Sequence, residues 1–288
     1  MSRAAFCVFG LGEAGSLLAA DLVAAGVEVH GYDPAEVATP ERVVRHREPR
    51  AAVARAGVVL GVTAAADATT ALTQALDAIP PGAVYADLAT APPALKRRLG
   101  AIAREAGLGF ADVALMSVVA GSGLRTPALA SGPAAADFVA ALVPLGMPVQ
   151  HAGDEPGDAA TRKLLRSVVM KGLAAVVIES MRAADAAGLA GETWANVVGQ
   201  ITAADEALLR RLVTGTGRHA ARRVHEMEAT AALLSELGVE PTMTDATASH
   251  LRRIEADPSL VPDLPAEGGG PTGITGPGRS PPTGAGPR

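Results

Sequence analysis

The chain has 288 residues, nearly half of them apolar, and a formal net charge of −5. That length suffices for two domains. The acidic balance and the scarcity of aromatics (four Phe, two Tyr, one Trp) argue against a nucleic-acid partner. The single Cys7 lies inside an apolar run, cannot form an intrachain disulfide, and reads as a small core residue.

The chain starts directly in the strand-like run AAFCVFG, with no basic n-region and no small-residue cleavage site. No uncharged apolar stretch is long enough to span a bilayer. The expectation is a soluble, cytoplasmic protein with no membrane partner.

From Met1 to about Gly153, short apolar runs alternate with Ala/Leu-rich helical segments. The runs are AAFCVFG, VEVHGYD, GVVLGVT, AVYADLA, LGFADVAL and PALASG. Between them lie GSLLAADLVAAG, TTALTQALDAI, PALKRRLGAIAREAG and AADFVAALVPLG. Continuous apolar strands separated by helices predict a parallel sheet covered on both faces, an α/β domain over residues 1–156. Beyond Gly157 the strand runs stop. Helices are expected at about 160–188, 191–215, 218–237 and 243–257, with breaks at Gly188, Gly215 and LGVEPT, forming an all-α domain over 157–257. Residues 258–288 are dominated by Pro and Gly, a composition that predicts a disordered tail.

The first strand runs into Gly10-Leu11-Gly12-Glu13-Ala14-Gly15 and then an apolar-periodic helix. A G-x-G-x-x-G run alone is a weak signal, but here a strand precedes it, a helix follows, and a second strand ends in an acid. This is the pattern of a Rossmann-type dinucleotide-binding turn. Gly10 permits the turn, Gly12 lets the backbone approach a pyrophosphate, and Gly15 allows close helix–strand packing, with the helix N-terminus facing the phosphates. Asp33, eighteen residues past Gly15, is placed to accept hydrogen bonds from a ribose. Its charge would repel a 2′-phosphate, so NAD is favoured over NADP. Two other readings stay open: an ordinary strand–helix turn, or an exposed acid at Asp33 unrelated to the cofactor.

The helical half opens with TRKLLRSVVMKGLAAVVIES, where Lys163, Ser167 and Lys171 recur every four residues. Only three of the 25 Lys and Arg residues are lysine, and two of them stand here. Hydride transfer to a carbonyl needs a proton donor for the developing alkoxide. A lysine emerging from an apolar helix suits that role, since desolvation lowers its pKa from about 10 toward neutrality. Ser167, one turn on, would hold the same oxygen or orient Lys163, and Lys171 would offer a positive charge to an anionic substrate. The plain alternative is that both lysines extend to solvent from a half-buried helix. The histidines at 30, 46, 151, 219 and 250 show no metal-ligand spacing, so no catalytic metal is predicted.

These motifs resemble the β-hydroxyacid dehydrogenase family, which includes 6-phosphogluconate and 3-hydroxyisobutyrate dehydrogenases, over most of residues 4–257. VFGLGEAGSLLAADL is similar to the family's dinucleotide loop. VYADLATAPP resembles its D-x-S-T-x-x-P stretch, which would place Asp87, Thr90 and Pro92 near the nicotinamide. Val62 and Thr63 stand where the family's chain passes the cofactor ribose. The family's D-A-P-V-S-G-G becomes Asp112-Val113-Ala114-Leu115-Met116-Ser117-Val118, so the carboxylate-binding Ser-Gly-Gly is replaced by Met116, Ser117 and Val118. Ser117, or Ser122 in the Gly121-Ser122-Gly123 turn, would take over.

The family's K-x-x-N-N helix, with a glutamate sixteen residues after the lysine, aligns Lys163 with the catalytic lysine and Glu179 with that glutamate; Ser167 replaces an Asn. Counting back from Gly238 puts His225, flanked by Arg222 and Arg223, where the family has a lysine that reaches the cofactor or substrate. A subgroup with a 6-phosphogluconate-dehydrogenase-like C-terminal domain and no settled substrate is closer still. The resemblance implies an NAD(P)-dependent oxidoreductase of the alcohol-dehydrogenase type. It would act on a small carboxylate- or other anion-bearing hydroxy or keto compound and form a homodimer through the helical domain. An imine reductase and a non-catalytic dinucleotide-binding protein are the alternatives.

Overall fold

The computed structural model describes residues 5–266. The chain divides into two compact units, the first ending at Arg166 and the second beginning at Ser167.

In the first unit, β1 (Ala5–Phe9), β2 (Val29–Tyr32), β3 (Val44–Arg45), β4 (Ala56–Gly61), β5 (Val84–Asp87), β6 (Gly109–Leu115), β7 (Ala128–Ser131) and β8 (Val149–His151) form one sheet in the order β3-β2-β1-β4-β5-β6-β7-β8. Helices α1 (Glu13–Ala24), α2 (Pro49–Val53), α3 (Ala68–Thr73), α4 (Pro93–Glu105) and α5 (Ala135–Leu142) connect the strands. Alternation along β1 sends Phe6 and Val8 to a core that includes Leu18 and Leu22 of α1 and Phe138 of α5. Cys7 and Phe9 point to the other core, with Leu72 of α3 and Leu99 of α4. Both faces are buried, which is why the strands read as continuous apolar runs. Burial pushes the Cys7 thiol far above its ordinary value, so it is an inert core residue.

The sheet departs from the expected all-parallel pattern at one place. β7 pairs antiparallel with β6, with Asp112 opposite Ser131 and Leu115 opposite Ala128. The segment joining them holds only a 3₁₀ turn, Gly123–Arg125, and a parallel return normally requires a longer crossover built on a helix. The very short β3, α2 and β8 were not foreseen, because two to five residues are too few for a periodic pattern.

The second unit contains α7 (Ala190–Thr202), α8 (Glu206–Glu236) and α9 (Thr242–Ala256), together with the part of α6 (Asp158–Ala186) that follows Arg166. Gly188 and Gly238, at φ of +72° and +71°, end α6 and α8 in left-handed turns. Val239 N–H reaches back to the Leu234 carbonyl and Leu189 N–H to that of Ala184. The break expected at Gly215 falls earlier. The Asp205 carboxylate accepts from Leu208 N–H at 2.7 Å and starts α8 there, and the helix runs through Gly215 and Gly217 to a kink at His219. Of the tail expected over 258–288, residues 267–288 lie outside the described residues. Pro258–Leu260 forms a 3₁₀ turn, and Leu260, Val261 and Pro262 line a pocket with α8 and α9.

Candidate active site

The loop between β1 and α1 has the geometry its glycines predict. Gly10 sits at φ +91°, and a Cβ there would lie 2.2 Å from the Val62 carbonyl oxygen. A Cβ on Gly15 would lie 1.8 Å from the Gly10 carbonyl oxygen. Gly12 is different, since nothing lies within 4 Å of its Cβ position. No side chain caps α1 at Gly12, so its first-turn N–H groups face an open approach suited to phosphate. Glu13 is exposed there, Ala14 packs against the first core and Leu11 is buried. The Thr63 hydroxyl, beside Gly10, is buried without a hydrogen-bond partner. An open glycine cradle and an orphaned hydroxyl both fit a bound dinucleotide.

Asp33 closes the cradle. Its Oδ2 accepts from Leu11 N–H at 2.7 Å and its Oδ1 from Ala35 N–H at 2.8 Å, which leaves further lone pairs for ribose hydroxyls. Arg45, on β3, was not anticipated. Its guanidinium donates to the carbonyls of Asp33, Ala35 and Val37 and so rigidifies the loop after β2. Behind it, His30 Nδ1 lies 2.8 Å from His46 Nε2, and His30 Nε2 lies 3.0 Å from Glu28. Burial and the His30 ring both hold the His46 pKa below its ordinary value.

At the opposite edge of the cofactor loops, Lys163 Nζ donates to the Thr90 hydroxyl at 2.7 Å. Thr90 lies on the loop between β5 and α4, and Lys163 one turn past the start of α6. Desolvation lowers the Lys163 pKa, the nearby Lys96 ammonium lowers it further, and Asp112 opposes both.

Below this pair lies a charged cluster the sequence did not reveal. Lys96 is 1% exposed, and Asp87 and Asp112 are fully buried. Lys96 Nζ donates to Asp87 Oδ2 at 2.7 Å and to the Asp87 carbonyl at 2.9 Å. Asp112 Oδ1 lies 3.0 Å from the same ammonium, as an ion contact rather than an aligned hydrogen bond. Asp112 Oδ2 accepts from Gly157 N–H and Ala160 N–H at 3.0 Å, and from the Ser131 hydroxyl at 3.3 Å. It thereby caps α6 from β6. Burial raises the Asp87 pKa, Lys96 pulls it back, and Asp112 raises it again.

The remaining expected site residues are more dispersed. Met116 is buried among Ala114, Leu129, Ala152 and Ala159, and its carbonyl accepts from Arg166. It is a core residue with a polar backbone role. Ser117 and Val118 are exposed. Ser122 belongs to a turn pinned to α1, where Asp21 Oδ2 accepts from Leu124 N–H at 2.7 Å and Gly123 leaves no room for a Cβ beside that carboxylate. Ser167 stands one turn after Lys163 on α6, and Lys171 two turns after it, exposed. In the second unit, His225 is exposed on α8 beside Glu228 at 3.3 Å. Arg222 pairs with Glu226, and Arg223 donates to the Thr216 hydroxyl. Glu179 caps α9: its carboxylate accepts from Met243 N–H, Thr244 N–H and the Thr244 hydroxyl.

Residues 5–137 match the family described as the NAD binding domain of 6-phosphogluconate dehydrogenase. The first unit is therefore a nicotinamide-dinucleotide-binding domain of Rossmann type. Residues 184–254 match a domain of unknown function, DUF1932. The chain thus carries an NAD-binding domain like that of 6-phosphogluconate dehydrogenase, followed by a DUF1932 domain. No curated protein matches it at a significant level. Among solved structures, a conserved hypothetical protein from Sinorhizobium meliloti 1021 is 25% identical, with 88% of this chain and 89% of that one covered and a TM-score of 0.57. An imine reductase from Myxococcus stipitatus in complex with NADP+ is 20% identical, covering 88% and 94%, with a TM-score of 0.75. A variant of that reductase in complex with NAD+ is 19% identical over the same shares, with a TM-score of 0.71. At these identities the two reductase structures establish a shared fold. Among the described residues, no helix is long and apolar enough to cross a membrane.

Proposed function

We propose that the chain is an NAD(P)-dependent reductase or dehydrogenase in which Lys163 is the general acid/base. The observation that carries this reading is the Lys163–Thr90 pair, in which a lysine of lowered pKa donates to a hydroxyl at 2.7 Å. The dinucleotide's nicotinamide, when bound, supplies or takes up the hydride. Residues 10–15 hold its pyrophosphate on the α1 N-terminus, Asp33 its ribose, and Val62 and Thr63 border it. Lys163 gives its Nζ proton to the substrate oxygen as negative charge develops, or removes that proton in the reverse direction. Thr90 fixes the ammonium, and Ser167 orients either the ammonium or the substrate oxygen. The proton is available below the lowered Lys163 pKa, so reduction falls off as pH rises through it.

The substrate class proposed is a small hydroxy or keto compound bearing an anion, with Lys171 as the candidate counter-charge and Ser117 or Ser122 as polar contacts. A second reading is imine reduction, favoured by the shared fold of the imine reductases. Both reductions take up one hydride and one proton, and the lysine at position 163 is read as the donor of that proton to an alkoxide oxygen. Asp33 supports NAD over NADP, with Arg45 committed to backbone carbonyls rather than turned to a 2′-phosphate. A homodimer through the helical unit is also proposed. Val168, Val169, Ile178 and Trp194 on α6 and α7 are all more than half exposed, and exposed apolar side chains of this kind are what a second helical unit would cover.

The test is NADH consumption over a panel of carbonyls and cyclic imines, with wild type and Lys163→Ala. A loss of turnover on the order of a hundredfold or more, with NADH binding retained, is expected. A folded Lys163→Ala that binds NADH and keeps full turnover refutes the assignment. Quenching of NADH without consumption across the whole panel would instead indicate a non-catalytic binding protein.

A further inference from the structure

The buried Lys96 cluster plays no part in binding or proton transfer as described above, yet it joins the two segments that meet at the candidate site. Lys96 is in the first turn of α4 and bonds both the carbonyl and the carboxylate of Asp87, the last residue of β5. Thr90 lies on the five-residue loop, 88–92, between those two anchored points. On the other side, Asp112 bonds Gly157 N–H and Ala160 N–H, and Lys163 follows three residues later. One ammonium therefore sits between the carboxylate that fixes the Thr90 loop and the carboxylate that fixes the start of the Lys163 helix.

We propose that Lys96 is a positioning residue for the reaction. Its buried ammonium, held between Asp87 and Asp112, keeps the Thr90 loop and the first turn of α6 in register, so that Lys163 Nζ meets the Thr90 hydroxyl. The inference rests on the acid/base reading of Lys163.

The charge balance explains why a lysine is needed. Two carboxylates lie in a site closed to water and cannot both stay ionised without a cation between them. A guanidinium would be longer and planar where a point charge 2.7–3.0 Å from both acids is required. Among the charged groups that act on Lys163 are Lys96 from α4 and Asp112 from β6. On α6 itself, Arg162 donates to the Asp158 carbonyl and Arg166 to that of Met116. Removing the Lys96 charge lifts one of the two influences that depress the Lys163 pKa, so that pKa rises.

The chain has three lysines, so ¹³C labelling of lysine Cε gives a spectrum that single substitutions can assign. In the unmodified protein, Lys163 is expected to titrate below the ordinary lysine range of about 10.4. An ordinary Lys163 titration there overturns the proposal, and this measurement requires no variant to fold. Two variants extend it. Lys96→Met removes the cation, and Lys96→Met with Asp87→Asn removes one charge of each sign, sparing the fold an uncompensated acid. In the folded variants, turnover is expected to fall on the order of tenfold to a hundredfold, with NADH affinity held within about twofold. The alkaline limb and the Lys163 titration are both expected to move to higher pH. A folded double variant with unchanged turnover, alkaline limb and Lys163 titration overturns the proposal. Lys163→Ala separates the two ideas: if it stays active, the acid/base reading fails, and if it is inactive while the Lys96 variants are normal, only the positioning role fails.

Discussion

Glu179→Gln is the sharpest probe of what holds the helical unit together. Glu179 is 9% exposed and receives three hydrogen bonds: Met243 N–H at 2.6 Å on one oxygen, and Thr244 N–H at 2.9 Å and the Thr244 hydroxyl at 2.7 Å on the other. No side chain at Pro241 caps α9, so this carboxylate, arriving from α6, serves as its cap. Glutamine has a single acceptor oxygen. It can keep the Thr244 pair, but its NH₂ group then faces the Met243 N–H, donor against donor. Losing a charge-assisted hydrogen bond and leaving that N–H unpaired is expected to cost about 1.5–3 kcal/mol.

The pH dependence has a definite sign. Burial pushes the Glu179 carboxyl up, but the hydrogen bonds from Met243 and Thr244 and the charge of Arg182 outweigh it, and the folded pKa lies below the usual carboxylate value. The stabilisation is therefore fully present above the unfolded pKa of about 4.3 and is lost as pH falls through the folded value. Urea denaturation followed by helical circular dichroism, at fixed protein concentration, should show the full deficit at neutral pH and a shrinking one as pH falls below the unfolded value and through the lowered folded pKa. A deficit below about 0.5 kcal/mol at neutral pH, or one that does not change with pH, would refute the capping argument.

The cofactor loop allows a paired test. Gly12→Ala adds a methyl group to open space and should leave the melting temperature unchanged while weakening NADH binding on the order of tenfold, read by fluorescence titration. Gly15→Ala drives the same methyl group into the Gly10 carbonyl and should destabilise the fold by at least about 1–3 kcal/mol; equal stability of the two variants would contradict the geometry. Asp33→Asn should narrow the preference for NAD over NADP in kcat/KM, and an unchanged ratio would remove Asp33 from cofactor choice. Light scattering coupled to size exclusion should give twice the mass of one chain, and a single-chain mass would exclude the proposed dimer.

The parts of the molecule that were legible in the sequence are those set by neighbouring residues. The alternation of apolar runs and helices, the glycine turn, the acid closing β2 and the lysine early in α6 depend on backbone sterics and local periodicity, which operate over a few residues. Gly215 was misread as a break because a glycine signals permission to turn, whereas the actual start of α8 depends on the Asp205 cap. The antiparallel β7 follows from how little chain separates it from β6, a matter of topology rather than of strand pattern.

Lys96 marks the limit of reading locally. In the run PALKRRLG it looks like one more cation on an amphipathic helix, next to Arg97 and Arg98. Only folding brings β5, β6 and the start of α6 around it, and burial between two carboxylates turns an ordinary surface-type residue into a fixed charge. The sequence alone determined that this chain builds a dinucleotide cradle and sets a lysine at the head of the following helix. The tertiary structure decided which charges lose their water, because desolvation depends on segments far apart in the chain closing over the same few atoms.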